Sequence, residues 1–148
     1  MAHGRAWPII LRAGAAYFVL GLGAGFVLGS VRVPFLVPRL GERWAELVEM
    51  PIMLGVIVLA ARWVVAHFGL PPATGPRLAT GLLALALLVA AELGLAVLIQ
   101  NQPLATYIAS RDPVSGSVYL AMLGLFALMP LMPLILARWR APRPVNPG

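Results

Sequence analysis

The sequence predicts an all-α membrane protein: a four-transmembrane-helix bundle with both termini on the cytoplasmic side. Three observations carry that expectation. Of the 148 residues, 61% are hydrophobic and 11% charged, and the mean hydropathy is +0.91. A soluble domain carries about 25% charged residues, and a soluble fold of this length cannot bury so much apolar surface. Next, the apolar residues gather into four stretches, 13–31, 50–67, 78–99 and 114–137, each near the roughly 20 residues that cross a bilayer. Finally, Trp7, Trp44, Trp63 and Trp139 all fall at the ends of those stretches, where interfacial aromatic belts form. The domain reading is a single transmembrane unit over 1–140 and a Pro- and Arg-rich tail over 141–148, expected to be disordered and cytoplasmic.

The first stretch carries no charge and follows Arg5 and Arg12. It is longer than the roughly 7–15 apolar residues of a secretory signal, and Gly29-Ser30-Val31-Arg32 is a poor cleavage site, so it is read as a retained span. Pro34 and Pro38 are expected to stop it and to frame a short outer connection. A short amphipathic outer turn, carrying Glu42, Glu46 and Glu49 on one helical face with Arg39 and Arg43 interleaved, then leads into the second span. That span is expected to end at Gly69, where glycine takes the left-handed cap and Pro71 and Pro72 forbid continuation. Asp112-Pro113 reads as the start of the fourth helix, with aspartate capping free amides and proline at the first helical position. Pro130 and Pro133 are expected to bend that helix near its inner end.

Orientation follows from the arginines, which supply all eleven basic side chains. Arg5, Arg12, Arg62, Arg77, Arg138, Arg140 and Arg143 fall on one side. Arg32, Arg39, Arg43 and Arg111 fall on the other, where Glu42, Glu46, Glu49 and Asp112 share their connections. The arginine-rich side is the cytoplasmic one. The Arg-only basic set and the abundance of Ala, Gly, Pro, Leu and Val suggest a high-GC coding bias, and with it a bacterial inner membrane. The net charge of +6 is absorbed by this topology, so no nucleic-acid partner is expected.

Several chemistries are disfavoured. There is no cysteine, hence no disulfide, thiolate metal site or cysteine nucleophile. His3 and His67 lie far apart in sequence, against a multi-histidine metal site, and His67 reads as an interfacial anchor or helix-dipole partner. Ser30, Ser110, Ser115 and Ser117 lack an adjacent activating base. Gln100, Asn101, Gln102, Tyr107 and Tyr119 read as interfacial anchoring and loop solvation. No cofactor or metal is expected, and an enzyme is the least favoured class.

Helix packing is expected along small-residue stripes: Gly21, Gly25 and Gly29 on the first span, Ala86, Ala90 and Gly94 on the third. Such stripes let backbones approach where lipid removes the hydrophobic force. They could join these two helices within one chain or form a homo-oligomer interface.

The carboxylates are the candidate site. Glu49 lies 13 positions before Arg62, about 20 Å of helix, and Glu92 lies 15 positions after Arg77, about 22 Å. Both counts place the two side chains at a similar depth in the outer half of a hydrocarbon core of about 30 Å. An ionisable group at that depth is costly, which makes Glu49 and Glu92, with Glu46 nearby, a candidate proton- or cation-binding group. Touching carboxylates are expected to share a proton. The alternative is a charge network with Arg32, Arg39, Arg43 or Arg111 that only holds helices together. Two functional classes remain: a carrier or channel acting as a homo-oligomer, and a non-catalytic accessory or assembly subunit of a larger membrane complex.

Overall fold

The computed structural model describes residues 3–99, 101, 103–109 and 112–142. Among the described residues the secondary structure is entirely helical: α1 (His3–Val31), a π-helical turn (Arg32–Leu36), α2 (Val37–Leu40), α3 (Glu42–His67), α4 (Thr74–Leu98), α5 (Leu104–Ala109), α6 (Pro113–Leu128), a 3-10 turn (Met129–Leu131) and α7 (Met132–Arg140). Four of these runs are long and apolar enough to cross a membrane: Ala6–Leu40, Glu42–His67, Thr74–Leu98 and Pro113–Arg140. The chain thus has the make-up of a multi-pass membrane protein.

Prolines alter the helical hydrogen bonding without ending the helical runs. Pro34 has no N–H for the Ser30 carbonyl four residues back, and the helix widens there into a π turn, in which the Val37 N–H bonds the Arg32 carbonyl. Pro38 is absorbed at the start of α2. The expected stop at Pro34 and Pro38 is therefore replaced by continuation to Leu40, giving a first run of 35 residues. The break falls at Gly41, whose φ of +82° suits glycine. α3 begins at the next residue, so the amphipathic segment expected as a separate outer turn is the opening of α3 itself.

The other boundaries follow the sequence. Gly69 takes φ +60° beyond α3, and the Leu70 N–H closes on the Val65 carbonyl. Asp112 caps α6 by accepting from the amides of Val114 (3.1 Å) and Ser115 (2.9 Å), with Pro113 following it. Arg43 of α3 donates to both oxygens of Asp112 at 2.9–3.1 Å, tying two helix starts together. The Arg43 guanidinium and the Ser115 amide hold the Asp112 carboxyl well below the usual carboxylate range.

At the fourth helix the proline leaves a 3-10 turn, Met129–Leu131, with a consequence for its neighbours. Pro130 cannot donate to the Phe126 carbonyl, and the Tyr17 hydroxyl does so instead, at 2.6 Å and fully buried. The two rings stack with centroids 4.1 Å apart. Around them Ile57, Ala61, Val64, Ala84, Leu88, Met122 and Met129 form the core.

α1 packs chiefly on α4, with α3 and α6 completing the bundle. The close approaches are at Gly14, where an added Cβ would lie 2.8 Å from Leu83, at Gly21, where it would lie 2.9 Å from the Phe126 ring, and at Gly81, where it would overlap the Ala127 carbonyl oxygen. Added Cβ atoms at Gly25, Gly29 and Gly94 would meet nothing within 4 Å, and Ala86 and Ala90 are exposed. Within one chain, then, Gly21 is the only member of the two expected stripes at a close helix contact. The inward face of α4 is instead Arg77, Thr80, Gly81, Ala84, Leu88 and Ala96.

Gly81→Ala should therefore cost about 3 kcal/mol, because the obstacle is backbone that cannot rotate away. Gly25→Ala should leave the melting temperature in detergent within about 2 °C of wild type. Equal melting temperatures for the two variants would show that α4 and the fourth helix do not meet at Gly81.

A carboxylate-lined cavity between the four helices

The inward stripe of α4 runs 84, 88, 92, 96, and Glu92 occupies its third place, between Leu88 and Ala96. On α3 the inward positions include Glu46, Met53, Ile57, Ala61 and Val64, with Glu49 and Met50 beside them. All three carboxylates consequently line one space. It is a cavity of about 710 Å³ bounded by α1, the π turn, α3, α4 and α6, at the end of the bundle where α1 passes into the π turn. Its walls are mainly apolar, with Leu22, Met53, Leu95 and Leu123 among them, and the Phe126 ring, stacked on Tyr17, also lines it.

Each polar group has a distinct setting. Glu49 pairs with Arg32 at 3.0 Å, with 13% and 25% of the two side chains exposed. Arg32 is delivered to the cavity as the first residue of the π turn. The ion pair is not a full hydrogen-bonded match: Arg32 Nε and Glu49 Oε2 are buried without a hydrogen-bond partner. Glu92 accepts a hydrogen bond from the Tyr119 hydroxyl of α6. Glu46 is 8% exposed and has no hydrogen-bond or ion-pair partner among the described residues.

The sequence-derived residues divide accordingly. Glu46, Glu49, Glu92 and Arg32 come together, and Gly21, Gly25 and Gly29 form part of the cavity wall. Arg43 is engaged by Asp112, Arg39 is exposed, and Arg111 lies outside the described residues, as do Gln100, Gln102 and Ser110. Glu42, on the same expected face as Glu46, is exposed in the first turn of α3. Tyr119, read from sequence as an interfacial anchor, is instead a partner of Glu92. Its spacing gave a signal: Tyr119, Met122 and Phe126 lie three and four residues apart and share a helical face. Glu46 likewise stands four residues before Met50 and three before Glu49, on the face that runs down into the core.

The other polar groups serve the helices, including Ser30, which also borders the cavity. Arg77 is buried and donates to the Pro71 carbonyl at 3.2 Å. His67 stacks on Trp63 with centroids 4.6 Å apart. Ser30, Ser115 and Ser117 hydrogen-bond the Phe26 carbonyl, Asp112 and the Pro113 carbonyl respectively.

The arrangement carries an excess of negative charge, since three carboxylates face one guanidinium. Removing one side of the Arg32–Glu49 pair leaves the other charge stranded. Arg32→Met should lower stability by about 3 kcal/mol, and the double change with Glu49→Met should recover most of that loss in thermal unfolding. Additive losses would show that the two side chains do not interact. No protein-family model, curated protein or solved structure matches the chain.

Proposed function

We propose that this protein is a small carrier of the bacterial cytoplasmic membrane that binds a proton or a cation on Glu46, Glu49 and Glu92 and works as a homo-oligomer. The observation that carries the reading is the shared cavity: carboxylates from two helices line one space between four apolar helices. A purely structural network would be expected to neutralise each carboxylate with its own basic partner. Here one arginine faces three carboxylates, and Glu46 has no partner among the described residues. The arginine count favours both termini on the cytoplasmic side, which places the cavity mouth in the outer half of the membrane. With no native cysteine, Ala73→Cys should resist an impermeant thiol reagent in intact cells while Glu42→Cys reacts. The opposite labelling would invert the orientation.

The functional test is Glu92→Gln in reconstituted vesicles. Glutamine keeps the shape of a protonated acid and can still accept from Tyr119, so the thermal stability should stay close to wild type. Any dependence of stability on pH, and any pH-driven flux, should shrink or vanish. Lost stability with unchanged pH dependence would mean that the carboxylates are scaffolding. The accessory-subunit reading draws support from a separate groove, lined by Val19, Leu20 and Gly23 of α1 and Val56, Leu59 and Trp63 of α3. A stoichiometric partner copurifying from native membranes would favour it.

A further inference from the structure

The carboxylates occupy only part of the cavity, and the remainder is informative. Leu22, Phe26, Met50, Met53, Leu95 and Phe126 supply apolar and aromatic wall in a space of about 710 Å³. Ligand pockets for organic molecules fall between roughly 300 and 1,000 Å³ and combine such walls with a few placed polar groups. An inorganic cation would need oxygen ligands converging from several sides to replace its water. Among the described residues no group of three His, Cys, Asp or Glu side chains converges closely enough to hold a metal ion. The cavity is also much larger than a desolvated ion.

The charge fixes the sign of the occupant. Glu46 and Glu49 face the cavity from α3, Glu92 from α4, Arg32 from the π turn, and Tyr119 is the hydroxyl offered by α6. Arg32 is paired with Glu49, leaving Glu46 and Glu92 without a cation. Glu46 is 92% buried, borders the cavity and has no hydrogen-bond or ion-pair partner among the described residues. Its carboxylate borders the cavity, where a positive ligand can reach it.

We propose that the cavity binds a lipophilic organic monocation, held by Glu46 and Glu92 at its charged end and by the Met, Leu and Phe wall around its apolar body. A delocalised cation sheds little hydration on entry, gains from burying apolar surface, and can lie against the exposed Phe26 ring. This inference rests on the carboxylate site proposed above and adds the class of its ligand.

The probe is tetraphenylphosphonium, added to the purified full-length protein in detergent with a detergent-only reference. The control is triphenylphosphine oxide, a neutral aryl-phosphorus compound. Saturable tetraphenylphosphonium binding is expected. The oxide should bind at least about tenfold more weakly, and Glu46→Gln should weaken tetraphenylphosphonium by at least about tenfold, or 1.4 kcal/mol. If Glu46→Gln fails to fold, Gly25→Phe serves instead. A Cβ at Gly25 meets no atom within 4 Å, so the added ring can fill the cavity and should abolish binding without touching a carboxylate. Absence of saturable binding, equal binding of the neutral oxide, or full affinity in these variants would overturn the proposal. Should Glu92→Gln remove the pH dependence of stability while tetraphenylphosphonium fails to bind, the ligand class falls and the proton site stands.

Discussion

Hydrocarbon offers no water to an unmatched polar group, and that constraint organises this bundle more than any single contact. It acts first on the backbone. Pro130 deprives the Phe126 carbonyl of its helical donor, and Tyr17 reaches across from α1 to supply one. Pro34 does the same to Ser30, and the chain answers by widening into a π turn. It acts equally on charge: Arg32 meets Glu49, Tyr119 meets Glu92, and Arg77 meets a loop carbonyl. The Arg32 Nε and Glu49 Oε2 atoms, buried without a hydrogen bond, and Glu46, without such a match among the described residues, are the exceptions, and the functional reading grows from Glu46.

The same solutions divide the molecule along its length. Below the Tyr17–Phe126 stack the helices approach closely, at Gly14 and Gly81, around an apolar core. Above it the spacing opens, and Gly25 and Gly29 border empty volume. The π turn lies at this open end and brings Arg32 to the wall. An open end faced by carboxylates and a tightly packed end closed by aromatic rings make a one-sided pocket rather than a continuous pore. Passage across the membrane would then require the stack to part, which ties any transport step to the hydrogen bond at Phe126.

Much of this was legible in the sequence. The four spans, the Gly69 cap, the Asp112-Pro113 start and an irregularity at Pro130 follow from hydropathy and local backbone chemistry. Depth counting from Arg62 and Arg77 singled out Glu49 and Glu92, and the two do line a common cavity. Less visible was what depends on rotation about helix axes. The glycine stripe is real as a spacing, but a stripe does not reveal whether it faces a neighbour, a cavity or lipid. Gly81, which makes the tightest approach, sits alone without a repeating partner. Pro34 and Pro38 misled because proline at a helix end and proline inside a widened turn look alike in one dimension. Arg43 was a candidate for the buried glutamates, yet the closer match for an exposed guanidinium was the partly exposed Asp112.

The central claim is that a solvent-reachable, carboxylate-lined space exists inside the bundle and stops at the Tyr17–Phe126 stack. Cysteine accessibility in permeabilised membranes tests it directly, because the chain has no cysteine of its own. Gly25→Cys, on the cavity wall, should react with a cationic, membrane-impermeant methanethiosulfonate. Ala84→Cys, fully buried in the core, should not. A Gly25→Cys variant that stays unreactive while loop cysteines label would mean that lipid or packed side chains fill the space, and the account of the site would fail.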